Sequence, residues 1–178
     1  MSEALQLSPH TLYERQRVLV RSGLLPYVEG RGPGSGVRLT VDAVAMLLIS
    51  ILATDDLAAA AEPTRTLAHL KRVRPDVRVK PKSLWAAQSF KTVISKALAN
   101  PEAVEIEMVN VDRTNLQVTI SLYEFEDGFL EKIGFAEFGQ SRLPSHNHRF
   151  WTSAHIAGSN LRALGSALAR RLSADNSA

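Results

Sequence analysis

The chain has 178 residues, 45% hydrophobic and 22% charged, a composition that suits a soluble globular protein able to bury a core as one domain or as two small lobes. It contains no cysteine, which excludes disulfides, thiolate zinc sites and cysteine nucleophiles. Its net charge of +3 is unevenly divided: residues 1–100 carry fourteen Lys/Arg against eight Asp/Glu, and residues 101–178 carry seven against ten. A basic half beside an acidic half suggests a polyanionic partner, with chance variation over two short halves as the alternative. No apolar run is long enough to span a bilayer, and the N-terminus has neither the basic nor the apolar region of a secretory signal, so a cytoplasmic protein without membrane contact is expected.

The first expected helix starts with Ser8 as N-cap and Pro9 at the first helical position, where its missing N–H costs nothing, and runs to about residue 22. Gly23 supplies the left-handed residue that ends it, and Pro26 prevents continuation. On the 3.6 period Leu12 and Leu19 share one face, while His10, Arg17 and Arg21 line another that is able to meet phosphates or simply to be solvated. Gly30 through Gly36 is the densest glycine cluster and has neither a P-loop nor a G-x-G-x-x-G pattern. Its flanks, Tyr27-Val28 and Val37-Arg38-Leu39, suggest two short strands with Arg31 and Arg38 near the tip and base, either a wing for DNA or a connector.

Residues 40–53 form the expected central helix: beyond Val41 only Asp42 and Ser50 are polar, so the helix must be wrapped by other elements. Thr40 is its N-cap, and Asp42 lies in the first turn where the helix dipole favours negative charge. The order of helix, R-S-G-L-L-P, Gly- and Arg-bearing hairpin and V-R-L-T-V-D-A-V-A-M-L-L-I resembles the winged helix-turn-helix of MerR-type transcriptional regulators over about residues 11–52. The resemblance implies a DNA-reading helix ended by Gly23-Leu24-Leu25-Pro26, with Arg17 and Arg21 on its DNA side and Arg38 as the wing's basic residue. The wing aromatic of that family is absent, since Arg38 is followed by Leu39, and only about ten residues stand before Thr11.

After a break at Asp55-Asp56, residues 57–62 have strong helix propensity, and Pro63 either kinks that helix or starts another carrying Leu67 and Leu70 inward. Residues 71–82 hold Lys71, Arg72, Arg74, Arg78, Lys80 and Lys82 against one acid, Asp76, in a proline-interrupted extended strap. Such a strap follows a phosphate backbone, or links two lobes. Ser83 is read as the cap of a helix through residue 99, with Phe90, Val93, Ile94 and Ala97 on one side, stopped by Asn100-Pro101.

Beyond Pro101 the period changes to two. Val104, Ile106 and Met108 alternate with glutamates, and Val118, Ile120 and Leu122 alternate with polar residues, around a turn at residues 112–115. Another strand at 129–138, a fourth near 149–156, and an amphipathic helix over 159–172 with Leu161, Leu164, Leu168 and Leu172 on one stripe complete the expectation. The fold class is therefore α+β: a helical, wing-bearing lobe at 1–82, and at 83–178 a helix with an antiparallel sheet of three or four strands packed by a C-terminal helix.

The expected function is DNA binding by a small transcriptional regulator that contacts duplex DNA as a homodimer. Its contacts would come from His10, Arg17, Arg21, Arg31, Arg38 and the cations of the strap, and no cofactor is implied. The alternative is a self-associating or partner-docking protein without nucleic acid. A third reading is a metal-dependent hydrolase using His146 and His148, which project to one side of a strand, with Glu137 or Asp127 as third ligand. That reading lacks an H-E-x-x-H or nucleophile-elbow motif, and an enzyme is the minority reading.

Overall fold

Ser8 opens the first helix by accepting the Thr11 N–H at 3.0 Å, so α1 spans Pro9–Arg21 with proline in its first turn. Its end is a Schellman turn: Gly23, at φ +70°, donates to Val20 O at 3.0 Å, and Leu24 donates to Leu19 O at 2.8 Å. The computed structural model describes residues 7–27, 36–75, 89–103, 106–126, 129–139 and 152–175. Thr40 likewise caps α2 (Val41–Ala53), accepting from Ala43 N–H at 3.1 Å. Nine of the thirteen residues of α2 are buried, including Ser50, which makes this helix the axis of the helical layer.

The chain between α2 and α3 (Ala61–His69) departs from the propensity reading of residues 57–62. The Thr54 hydroxyl accepts from Asp56 N–H and the Asp56 carboxylate from Ala58 N–H, which folds this stretch into turns. The helix begins only at Ala61, with Pro63 in its first turn. Leu67 is fully buried and Leu70 is partly buried, as the spacing predicts.

Residues 72–75 correct the strap. Arg72–Pro75 is a strand, β1, hydrogen-bonded antiparallel to β4 (Phe129–Phe138), and Lys71 bridges to Ser89. The extended conformation that prolines and β-branched residues favour is thus held at a sheet edge, where proline's missing donor is tolerated. Ser89, and not Ser83, is the N-cap of α4 (Phe90–Ala99), through its bond from Thr92 N–H; residues 83–88 lie outside the described ones. Pro101–Ala103 then makes one 3-10 turn.

The sheet order is β1-β4-β3-β2-β5, antiparallel throughout, with β2 at Ile106–Asp112, β3 at Gln117–Glu126 and β5 at Ser153–Ala157. The C-terminal half supplies four of these strands and the N-terminal half the fifth. Alternation places Val109, Val111, Val118, Ile120, Leu122, Ala136, Phe138 and Ile156 on the inner face, all buried. Asn110, Glu137 and His155 are exposed on the other face.

β5 passes without a loop into α5 (Gly158–Asp175), whose Leu161, Leu164 and Leu168 are buried. The helices form one layer on the inner face, and one continuous apolar core runs from Leu19 to Leu168 through both halves of the sequence. Phe90 on α4 meets Phe138 on β4 with ring centroids 5.9 Å apart and planes tilted by 55°, joining the layers. Asp42 at the start of α2 accepts from Lys91 and Ser95 of α4 at 2.9 and 2.8 Å, so its partners are side chains as well as the helix dipole.

Candidate nucleic-acid interface

Two faces of α1 have opposite fates. Leu19 is fully buried, and Arg15 is 4% exposed against the end of α2. On the other side Tyr13, Arg17 and Arg21 follow one another at a spacing of four, and all are exposed. Arg17 is held in place: its NH1 donates to both oxygens of Glu14 at 2.9 and 3.2 Å, and its guanidinium carbon lies 5.9 Å from the Tyr13 ring centre. Among the described residues Arg21 has no ion-pair partner.

Beyond the Schellman turn, Tyr27 and Val37 come beside this face. Tyr13, Gln16, Arg17, Val20 and Arg21 of α1 line a groove of about 250 Å³ together with Tyr27 and Val37. Tyr13 and Tyr27 are 58% and 53% exposed, the two most exposed large hydrophobic side chains among the described residues. An arrangement of two guanidiniums and two open rings can hold phosphates and stack on planar groups.

The chain matches no family model, no curated protein and no solved structure, so the groove stands on its own geometry. Of the residues expected to contact nucleic acid, Arg17 and Arg21 share the groove. His10 is exposed in the first turn of the same helix, and Arg38 is exposed just before α2. Lys71 is exposed at its bridge to Ser89, Arg72 is half-buried, and Arg74 pairs in register with Glu137, so these three belong to the sheet edge and not to α1. Arg31, Arg78, Lys80 and Lys82 lie outside the described residues, as do the glycine-rich tip, His146 and His148. The second wing strand is not formed over Val37-Arg38-Leu39: Gly36 alone makes a bridge, and the next residues run without strand pairing into the Thr40 cap.

Sequence reasoning missed Arg15. Its NH1 donates to Ser50 O at 2.7 Å and to Ser50 Oγ at 3.1 Å, while its Nε has no hydrogen-bond partner among the described residues. Burial lowers its affinity for the proton, Asp55 nearby opposes that shift, and Arg113 adds to it. The available signal was its position between Leu12 and Leu19 on the apolar face. Arg113, from the turn after β2, was read only as a turn residue. It donates to Ile51 O and Leu52 O, each at 2.9 Å, and to both carboxylate oxygens of Asp55 at 2.5 and 3.0 Å. The C-terminal carbonyls of α2 therefore receive one arginine from α1 and one from the sheet, where the helix dipole favours cations. The Arg17/Arg21 face rides on a helix fixed to that point.

Among the described residues no group of three or more metal-binding side chains converges, and no helix is long and apolar enough to cross a membrane.

Proposed function

We propose that the protein binds nucleic acid across the outward face of α1. The observation that carries this reading is the joint placement of Arg17, Arg21, Tyr13 and Tyr27 around one open groove on a helix whose opposite face is locked into the core. A rigid mount lets charged and aromatic side chains meet a ligand without first losing the freedom of the backbone. The positive balance of residues 1–100 supplies the long-range attraction. Transcriptional regulation on duplex DNA, motivated by the order of helix, G-L-L-P and glycine-rich segment, is one narrower form of this proposal, and binding of single strands is its rival. Anisotropy titrations of labelled oligonucleotides between 50 and 300 mM salt test it. The logarithm of the affinity is expected to fall linearly with that of salt, and Arg21→Ala to reduce the slope by about 1. Arg17→Ala is expected to change it less, because Glu14 already balances that charge. No binding at micromolar protein and low salt would reject the reading.

A second reading is self-association. Leu39 is 44% exposed and, with Val44, Leu164, Ala167, Leu168 and Arg171, lines an apolar groove of about 170 Å³ between α2 and α5. Sedimentation with and without nucleic acid decides it: a monomer in both conditions rejects it, and a dimer that binds DNA joins the two readings.

A further inference from the structure

Resting on the nucleic-acid reading of α1, we propose that its groove takes unpaired bases, so that the ligand class is single-stranded nucleic acid, stacked on Tyr13 and Tyr27. Both rings are more than half exposed, at 58% and 53%, and both line one groove. An exposed tyrosine ring gains little from water and much from a planar partner. Inside a duplex each base already has both faces covered by its neighbours, so only an unpaired base offers a face to these rings.

The shape of the site points the same way. A helix that reads duplex DNA must protrude, since with its side chains it is about 10–12 Å across and enters a major groove about 12 Å wide. The basic face of α1 is instead part of a concavity to which Tyr27 and Val37, from outside the helix, also contribute. A single strand lying in the concavity meets no such barrier.

Each polar group then has a distinct task. Arg17, pinned by Glu14 and set over Tyr13, extends the stacking surface with its planar guanidinium. Arg21, one turn further and without an ion-pair partner among the described residues, meets the phosphate. Gln16 lines the same groove and offers an amide donor and acceptor to a base edge.

The test uses the full chain and three labelled probes at low salt: a mixed-sequence DNA strand, the RNA strand of the same sequence, and the DNA duplex. Binding of either single strand at least about tenfold more tightly than the duplex is expected. Tyr13→Ala and Tyr27→Ala are each expected to weaken single-strand binding about 5- to 150-fold, and Tyr→Phe at either position to leave it within about twofold, because the ring is kept. Both residues are exposed, so the alanine variants leave no core cavity, and circular dichroism verifies their fold. Equal affinity for strand and duplex with no effect of the alanine changes overturns this inference and leaves nucleic-acid binding standing. A preference for the duplex overturns it in favour of groove reading. Absence of binding to all three probes overturns both proposals.

Discussion

The guanidinium of Arg15 closes the C-terminal end of α2 by donating to the Ser50 carbonyl at 2.7 Å and to the Ser50 hydroxyl at 3.1 Å. Both residues are buried, at 4% and 0% exposure, so the contact joins α1 to the core helix in a medium where an arginine is costly to hold. Because the acceptors are neutral, removing the charge while keeping the volume leaves no opposite charge stranded. Arg15→Met keeps the volume but loses both donors to Ser50, at an expected cost of about 1–2 kcal/mol. Arg15→Ala adds a cavity to the same loss, at about 2–4 kcal/mol. Urea unfolding of both variants checks the order; equal losses would show that the charge, not the packing, matters at this site.

Arg113 makes its contacts as a planar fork that lysine cannot reproduce. Two backbone carbonyls and both oxygens of Asp55 accept from it at once. Arg113→Lys keeps the charge and loses the simultaneous geometry, with an expected loss of about 1–3 kcal/mol. Hydrogen exchange locates the damage: the amides at the end of α2 and in the turn after β2 should lose protection together. Loss confined to the turn would refute the clamp.

Acid stability follows from two aspartates. Hydrogen bonds from Lys91 and Ser95 hold the Asp42 carboxyl below its ordinary range, and those from Arg113 do the same for Asp55. A carboxyl whose folded pKa lies below its unfolded value of about 3.9 contributes its full stability above that value. The contribution disappears as pH falls through the folded pKa. The side chains of Asp42 and Asp55 are 64% and 85% exposed, so water screens each contribution to less than about 1 kcal/mol. Urea midpoints measured from pH 7 to pH 2.5 should stay level to about pH 5 and then drop, and Asp42→Asn with Asp55→Asn should flatten the drop. An unchanged acid limb in the double variant would assign it to other carboxylates.

Gly158 and Gly165 are sites of close approach. A Cβ on Gly158 would lie 1.6 Å from Ile106 O, and one on Gly165 would lie 2.7 Å from Leu98 O and 3.0 Å from Pro101 Cβ. At Gly23 nothing lies within 4 Å, and only its φ of +70° resists a side chain. Thermal melts are expected to rank Gly158→Ala as the most damaging, at about 3 kcal/mol or more, Gly165→Ala next at about 1–3 kcal/mol, and Gly23→Ala near 1 kcal/mol. Gly23→Ala ranked above Gly158→Ala would contradict the packing of α5 on β2.

Features set by neighbouring residues were legible in the sequence. Ser8 and Thr40 cap the helices they precede, Gly23 ends the first, and the alternation of Val118, Ile120 and Leu122 marks a strand with one buried face. Pairing across the sequence was not. Nothing local tells Arg72 that its partner in the sheet is Phe138, and a cationic stretch with prolines reads as a solvated strap until that partner is known. Ser83 and Ser89 are equally good caps by chemistry, and Ser89 holds the position because Phe90 N–H donates to Leu70 O. The groove was half visible: Arg17 and Arg21 followed from helical spacing, but the contribution of Tyr27 and Val37 from outside the helix is a tertiary placement. Tyr13 shares the helical spacing of Arg17 and Arg21 and could have been placed on their face, whereas nothing local sets Tyr27 apart from a core aromatic.

The position of β1 beside β4 sets the timetable of folding. The sheet edge at residues 72–75 has its partner at residues 136–138, after α4, β2 and β3 have been made, and α5 packs on β2 and β5. A nascent chain can form its capped helices at once and pack α2 against α3 and α4, but part of the sheet's inner face stays open to water until α5 has followed β5. Refolding should therefore be governed by closure of that long loop and by docking of α5, and be slower than the helix content suggests. During that interval the unpaired β-strands are where a chaperone would act.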